Sequence, residues 1–425
     1  MIRFREPGAP TRENPARSPQ HAVNISSGVP RRIYFLILCL ACLAASPARA
    51  DRPPIESTLA RMTSAVLAGD IAAYLACVDP ADPHFAQEQK MWAEDLRRSR
   101  PTAFSLTLAQ CEAESDDVLT ADLAVAWSVA GEGKDAHDLE RRINFPVSFR
   151  FDPDHDRWLY SGEAWTTLET PSRDDAGSSI PADHRARIRF LPGYEDVAQR
   201  ILETLPAVRD RVHSEFTTRV DRVQEIKLYP SIAHLQASIY LSYVDAITGW
   251  NEPGESIKLF VSPAAQPSQL RPLLAHEYTH VVTFEFGPDA TDMPWWVLEG
   301  TAEIVPEKLG SGSAAILRAR ARRRVIAWAR DGQLAQWDEL SDFHTVIPEL
   351  RTHVYRQGNH MLMFIAERFG RPARDAWLRA MSRGECVDDA TTQSLGISFA
   401  ELDSRWRAAL ERAVAEADAP KPRDQ

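Results

Sequence analysis

The chain has 425 residues, of which 44% are hydrophobic and 26% are charged. These values are ordinary for globular proteins, so they exclude a fibrous or wholly disordered chain, and the length suggests two or three domains. The 49 basic and 60 acidic residues give a net charge of −11, which argues against a nucleic-acid binder that relies on a broad basic surface.

Residues 1–50 form a basic leader with an apolar centre. They hold seven arginines, no lysine and two glutamates, a net charge of +5, so the rest of the chain carries −16. An apolar run over 33–45 follows two arginines, and small residues precede a cleavage point after Ala50. This order predicts a signal peptide and a secreted or periplasmic mature protein without a stable membrane span. The alternative is an N-terminal anchor, although the run is short for a bilayer, and a start near Val29 would give a more ordinary leader.

Cleavage would leave three cysteines in the mature chain, Cys77, Cys111 and Cys386. Three widely spaced cysteines provide neither a disulfide framework nor a cysteine-based metal site. Cys77 and Cys111 fall in one predicted domain, where they either pair in an oxidising compartment or remain thiols.

Residues 51–170 predict a small α+β module. Apolar residues recur at helical spacing over 55–78, and a second helix is expected over 86–99. Short alternating segments then predict an antiparallel sheet. Its strands are expected at 104–108, 123–127, 144–151 and 158–167. Two helices followed by a sheet resemble the nuclear-transport-factor-2-like fold, which implies a scaffold or a ligand pocket. The polar, turn-rich segment 171–181 is interpreted as a linker.

Residues 182–418 predict a second domain, with a small sheet followed by a helical subdomain. Strands are expected at 187–191, 225–229 and 256–261, around a long amphipathic helix at 194–216. Beyond residue 266 the pattern is mostly helical, and Ser398 is expected to cap the last helix. The fold class predicted for the whole chain is α+β.

The segment His276-Glu277-Tyr278-Thr279-His280 lies in a predicted helix over 269–286, with Ser268 as its expected N-cap. The two histidines are one helical turn apart, so both imidazoles can reach one zinc ion. Glu277 is rotated by about 100° from His276, which places it beside the metal, where a base acting on water belongs.

A second acidic pair supports this interpretation. Glu299 follows His280 with 18 residues between them, and Glu303 lies one turn further on. His-Glu-x-x-His followed by Trp-x-x-Glu-Gly-x-Ala-Glu resembles the gluzincin (peptidase MA-like) metallopeptidases, with a spacing similar to that of the aminopeptidase-N family. The resemblance implies a gluzincin-like domain that binds one Zn²⁺ through His276, His280 and Glu299. It further implies that Glu277 is the catalytic base and that Glu303 accepts a hydrogen bond from a ligand histidine.

The resemblance also implies a tyrosine that stabilises the oxyanion, and Tyr355 lies 56 residues after Glu299, where the family places it. His353 is the alternative donor, and His360 is expected to be structural. The chain departs from the family at 254–262, where the Gly-x-Met-Glu-Asn motif that recognises a free amine is missing. The strand over 257–261 is nevertheless a candidate for binding an extended peptide by main-chain pairing.

The sequence therefore predicts an exported zinc metallopeptidase that acts on a peptide or protein substrate and not on nucleic acid. One alternative is a catalytically silent cell-envelope binding or assembly protein that retains a zinc site. Another is an amidase acting on cell-wall peptides. The identity of the substrate, the choice between endopeptidase and exopeptidase, and the oligomeric state stay open at this point.

Overall fold

The computed structural model describes residues 52–130, 139–173, 177–243, 247–308 and 312–419. The predicted signal peptide over 1–50 and its cleavage site lie outside the described residues. Within the described ranges, no helix combines the length and the apolar character that a membrane span requires. Residues Pro53–Gln425 form one compact unit.

The first part of this unit combines three helices with an antiparallel sheet. The helices are α1 (Ile55–Ala68), α2 (Ile71–Leu75) and α3 (Pro83–Asp95). The strands are β1 (Ala103–Ala113), β2 (Val118–Val129), β3 (Leu139–Asp152) and β4 (Arg157–Glu163), in the order β1-β2-β3-β4. Side chains alternate between buried and accessible positions along β2 and β3, as expected for a sheet with one face on a core.

Two helix boundaries in this part differ from the prediction. The helix expected over 55–78 ends at Gly69, which adopts the left-handed conformation with φ 69°, and Asp70 then caps α2 by accepting a hydrogen bond from the Ala73 amide. The helix expected over 86–99 begins earlier, because Asp82 accepts hydrogen bonds from two amides of the first turn of α3. Cys77 lies in the core as a buried free thiol.

A second sheet has five strands in the order β5-β6-β7-β9-β8. They are β5 (Thr166–Glu169), β6 (Ala186–Phe190), β7 (Gln224–Tyr229), β8 (Gly249–Trp250) and β9 (Ile257–Phe260). The three central strands are parallel, and β5 and β8 are antiparallel at the two edges. Helices α4 (Glu195–Phe216) and α5 (Ile232–Ile239) follow β6 and β7.

This topology corrects two expectations. The single strand expected over 158–167 is two strands, since β4 belongs to the first sheet and β5 to the second. The strand expected to bind a peptide, β9, lies between β7 and β8, so its main-chain groups are already paired on both sides. The free edge beside it belongs to β8.

Beyond β9 the described residues are mostly helical, as predicted. The helices are α6 (Pro267–Phe284), α7 (Trp295–Ala302), α8 (Ile304–Lys308), α9 (Gly312–Arg330), α10 (Arg351–Phe369), α11 (Arg371–Met381), α12 (Val387–Leu395) and α13 (Phe399–Asp418). The Ser398 side chain caps α13 by accepting from the Glu401 amide. One continuous hydrophobic core joins these helices to the second sheet, and the mixture of helices and sheets is compatible with the predicted α+β class.

The N-cap of α6 lies two residues before Ser268, so the prediction of Ser268 as the cap is wrong. Pro267 occupies the first helical position, where its missing N–H is harmless, and Gln266 is the N-cap. The Gln269 side chain accepts a hydrogen bond from the Gln266 amide at 3.0 Å. Gln266 and Gln269 thus form a reciprocal cap that fixes the start of the helix.

Buried polar contacts join the first sheet and its helices to the second sheet. Lys227 of β7 is paired with Glu88 of α3 at 2.5 Å, and both side chains are almost fully buried. Trp92 and Trp127 donate their indole N–H groups to the carbonyl oxygens of Ala237 and Leu241, at 3.0 Å and 2.9 Å. These directional contacts fix the register between the two parts, because an unpaired group in such an interface is expensive.

Candidate metal centre

Helix α6 holds the two histidines of the His-Glu-x-x-His segment. The rings of His276 and His280 are in edge-to-face contact, with centroids 5.1 Å apart. Glu299 enters from α7, and its Oε2 lies 3.2 Å from His276 Nε2 and 3.6 Å from His280 Nε2. One ligand atom from each of these three residues lies within 4.8 Å of the other two. The structure therefore brings together the three side chains that the sequence proposed as ligands.

The surroundings of the Glu299 carboxylate suit a bound metal ion. Trp295, one turn earlier on α7, donates its indole N–H to Glu299 Oε1 at 3.0 Å, which orients the carboxylate. The other oxygen, Oε2, is buried and accepts no hydrogen bond, although it is the oxygen nearest both histidines. A buried carboxylate oxygen without a partner is costly, and a divalent cation among two imidazoles and this oxygen would satisfy it.

Glu303 contacts the candidate ligand His276 on the ring nitrogen that faces away from Glu299. Its Oε1 lies 3.3 Å from His276 Nδ1, and its Oε2 accepts a hydrogen bond from Arg356 at 2.7 Å. Burial raises the pKa of Glu303, but His276 and Arg356 outweigh it and lower the pKa to about 2. The carboxylate is therefore ionised, and it favours the His276 tautomer whose Nε2 lone pair is directed to Glu299 and free to bind a metal.

Glu277 lies beside the three candidate ligands and not among them, in the position predicted from its rotation about the helix. Its side chain is buried, with 4% of the residue exposed. Burial raises the pKa of Glu277 above its ordinary value, against the opposing charges of the two histidines. A carboxylate with a raised pKa binds a proton more readily, which suits a group that accepts and returns one near neutral pH.

A glycine on the edge strand makes room for Glu277. A Cβ added at Gly249 of β8 would lie 2.1 Å from Glu277 Oε1 and 2.5 Å from its Cδ. Only a residue without a side chain leaves this carboxylate where it is. The free edge of the second sheet is therefore in direct contact with the candidate base.

Tyr355 approaches the same centre from α10. Its ring centroid lies 6.1 Å from that of His276 and 6.2 Å from the Trp295 ring. Burial raises the pKa of the Tyr355 phenol well above its ordinary value, so the hydroxyl stays protonated and can donate a hydrogen bond.

The two histidines of α10 lie elsewhere. His353 stacks on Trp328 at 3.8 Å, and its Nε2 lies 3.1 Å from the Gln333 carbonyl oxygen, so it is not the alternative donor. His360 accepts a hydrogen bond from the Trp406 indole at 3.0 Å, and burial lowers its pKa to about 4. A neutral histidine held in this way has the structural role that the sequence predicted.

Close contact between α7 and α10 brings Glu299 and Tyr355 into one site. A Cβ at Gly300 would lie 2.5 Å from the Gly358 carbonyl carbon, and a Cβ at Gly358 would lie 2.2 Å from the Trp296 carbonyl oxygen. The two glycines thus allow backbones to touch where any side chain would separate them.

Sequence reasoning missed the roles of Gly249, Trp295 and Arg356. From the sequence, we compare residues 254–262 with the motif that recognises a free amine, but the edge strand of the sheet is Gly249–Trp250. The segment 249–252, Gly-Trp-Asn-Glu, retains the glycine and the glutamate of Gly-x-Met-Glu-Asn, and this partial match was the available signal. Burial raises the pKa of that glutamate, Glu252, to about 7.

Comparison with known proteins adds only distant likenesses to solved structures. No protein-family model matches the chain, and no curated protein matches its sequence. Among solved structures, a mutant of an M1 zinc metallopeptidase from Deinococcus radiodurans is similar over 77% of this chain and 68% of that chain, with 11% sequence identity and a TM-score of 0.35.

Proposed function

We propose that this protein is a zinc-dependent metallopeptidase that hydrolyses peptide bonds. The observation that carries the proposal is the convergence of His276 Nε2, His280 Nε2 and the unpartnered Glu299 Oε2, with Glu277 beside them. Two imidazoles and one carboxylate leave a tetrahedral ion one open position, which is typical of catalytic zinc and not of structural zinc.

Zinc held by His276, His280 and Glu299 would supply a Lewis acid that activates water and polarises the scissile carbonyl. Glu277 accepts the proton of the attacking water and returns it to the leaving nitrogen, which its raised pKa favours. The Tyr355 hydroxyl donates a hydrogen bond to the oxyanion that develops on the former carbonyl oxygen.

The position of Glu277 beside β8 supports a way of binding the substrate. A peptide in extended conformation would add to the free edge of β8 by main-chain hydrogen bonds. Peptide binding is thus assigned to β8 and not to β9, because β9 is already paired with a strand on each side. A peptide bond held there would lie next to Glu277, because Gly249 is in contact with that carboxylate.

The proposal includes export. The basic and apolar leader over 1–50 supports a secreted or periplasmic location, and the mature chain would begin at Asp51. N-terminal sequencing of the protein recovered from outside the cytoplasm tests this, because an intact leader on that protein would contradict cleavage.

The test of the activity is hydrolysis of a quenched-fluorescent peptide library by wild-type protein and by Glu277→Gln. We expect the variant to keep zinc and to lose at least about 10²-fold in turnover, since proton transfer is the step removed. Glu285→Gln is the matched control, because Glu285 lies at the end of the same helix and pairs with Arg222 outside the site. A chelator should abolish the wild-type activity, and undiminished turnover of Glu277→Gln would contradict the assignment.

A second candidate is a silent binding protein whose function lies in the first part of the chain. A cavity of about 80 Å³ between the two sheets favours it, since it is lined by Trp92, Phe145, Glu163 and His234 among others. His234 Nε2 is buried there, 3.4 Å from Glu163 Oε1. Absence of turnover on peptides, including cell-wall peptides, from a zinc-loaded wild-type protein would favour this candidate.

A further inference from the structure

Four aromatic side chains form a continuous chain of ring contacts around one side of the candidate metal centre. They are Tyr355, Trp295, Phe343 and Trp250, and together we name them the aromatic arc. The ring centroids of Tyr355 and Trp295 are 6.2 Å apart, those of Trp295 and Phe343 are 5.0 Å apart, and those of Phe343 and Trp250 are 5.7 Å apart. All three contacts have the edge-to-face geometry that aromatic pairs prefer.

One end of the aromatic arc lies at the candidate metal centre, and the other end lies on the edge strand β8. At one end the Tyr355 ring lies 6.1 Å from the ring of the proposed ligand His276. At the other end Trp250 directly follows Gly249, the residue in contact with Glu277. Through Tyr355 and Trp295 the arc adjoins the candidate metal centre, and through Trp250 it reaches the edge strand β8.

The rings of the arc differ in their exposure to solvent. Trp295 is buried, with 8% exposed. Tyr243, which is not part of the arc, is also buried, with 3% exposed. Its ring stacks on that of Phe343 at 6.0 Å and contacts that of Trp250 at 5.7 Å. Tyr355, Phe343 and Trp250 are only half-buried. The accessible rings are held in place from behind, so little ordering would be needed when a ligand covers them.

The chemistry of this space selects among substrate side chains. Every member of the arc is aromatic, so a large apolar side chain would bury surface against it and an aromatic one could also stack. An acidic side chain would meet the carboxylates of Glu277 and Glu299 instead. A small side chain would leave the rings in water.

We propose that the aromatic arc is the wall of a specificity subsite that accepts a large aromatic or branched apolar side chain next to the scissile bond. This inference rests on the proposed peptidase function, which it deepens by naming the class of substrate. Phe343 is its central determinant, because its ring contacts both Trp295 and Trp250 and so links the two ends of the arc.

The test compares octapeptides that differ at one position flanking the cleaved bond. Wild-type protein should cleave peptides with Phe or Leu there about 10²-fold faster, in kcat/KM, than those with Gly or Asp. Phe343→Ala should lower kcat/KM for the Phe peptide at least about 10-fold more than kcat/KM for the Gly peptide, and the zinc content should stay at the wild-type level. Phe343→Leu, which keeps apolar volume without the ring, should retain the wild-type kcat/KM for the Leu peptide and lose the preference for the Phe peptide.

The matched control is Phe399→Ala. Phe399 is also half-buried and also contacts two tryptophans, Trp296 at 6.0 Å and Trp337 at 6.2 Å, but it does not belong to the arc. This variant should keep the wild-type ranking of the peptides. A loss of ranking in Phe399→Ala equal to that in Phe343→Ala would show that Phe343 acts through general packing, and it would overturn the proposal.

Binding separates failure of the subsite from failure of the proposed function. Fluorescence anisotropy measures labelled Phe and Gly peptides on zinc-loaded Glu277→Gln, with and without Phe343→Ala. Cleavage by wild-type protein without any side-chain preference would overturn the subsite and leave the peptidase function. Absence of cleavage together with Phe343-dependent binding of the Phe peptide would overturn the function and support the subsite. Absence of both would overturn both.

Discussion

Replacing Gly249 by alanine would displace the carboxylate of Glu277. The new Cβ would lie 2.1 Å from Glu277 Oε1, whereas ordinary contact begins near 3.4 Å, so that oxygen must retreat by about 1.3 Å. The nearest atoms that the Cβ meets all belong to the Glu277 side chain and none to the backbone. The side chain is therefore expected to move while β8 and α6 keep their places.

A displacement of about 1 Å in a catalytic group lowers the rate about 10²-fold, which equals about 2.7 kcal/mol in activation free energy. We expect kcat/KM of Gly249→Ala to fall by about this factor on the peptide that wild-type protein cleaves best. Zinc content should stay at the wild-type level, because the three atoms nearest to the new Cβ belong to Glu277 and not to a proposed ligand. The assay is steady-state hydrolysis of a quenched peptide, with zinc measured on the same sample.

Gly332→Ala is the control for a general loss of stability. Gly332 has φ +66°, so alanine is strained there, but its Cβ would meet nothing within 4 Å and the residue lies outside the site. This variant should lose thermal stability and keep its activity. Wild-type activity in Gly249→Ala would refute the reasoning, since the base could not then depend on the position that Gly249 allows.

Three further changes test other parts of the site and the fold. Tyr355→Phe should lower kcat by about 10²–10³-fold with zinc binding unchanged, since one oxyanion donor is removed; equal kcat in both proteins would exclude the role. Glu303→Gln should weaken zinc binding by about 10–100-fold in a chelator competition, because His276 loses the carboxylate on its Nδ1, and unchanged affinity would contradict this. Burial raises the pKa of Glu88, but Lys227 and its neighbours lower it from 4.5 to about 2, so this carboxylate stabilises the fold above pH 5 and the contribution disappears as the pH falls through 2. Urea unfolding should therefore show Glu88→Gln clearly less stable than wild type at pH 7 and the difference smaller at pH 3; an equal difference at both pH values would show that the ion pair is not its cause.

The metal-binding helix could be predicted because its pattern is local. Residues four apart on a helix share a face whatever the rest of the chain does, so His276 and His280 needed no tertiary information. Glu299 is different, since only its resemblance to a family motif connected it with the histidines. The structure brings it to them through the contact of Gly300 with Gly358, which no periodicity in the sequence reveals.

The edge of the second sheet could not be predicted, because β8 has only two residues. Alternation of buried and accessible side chains needs a longer strand to be visible, so neither β8 nor the role of Gly249 follows from the pattern. For a similar reason the alternating run over 158–167 gave one strand, although the chain changes sheets within it. Period-two alternation shows that a strand has two faces and does not show which sheet it joins.

The start of α6 shows a third limit, which is one of side-chain choice. Serine is a common N-cap, so Ser268 was the natural prediction, and glutamine is an unusual one. Pro267 was the better signal, since proline favours the first position of a helix and would place the cap at the residue before it. The error moves the boundary by two residues and leaves the histidine face unchanged, because that face depends on spacing within the helix.

The most direct test of the account is anomalous diffraction at the zinc absorption edge from crystals of the zinc-loaded protein. We expect one strong peak per chain, within about 2.0–2.2 Å of His276 Nε2, His280 Nε2 and Glu299 Oε2, with Glu277 outside the coordination sphere. A peak at any other place in the molecule, or a zinc ion at this place that Glu299 does not bind, would contradict the claim that these three residues form the catalytic centre.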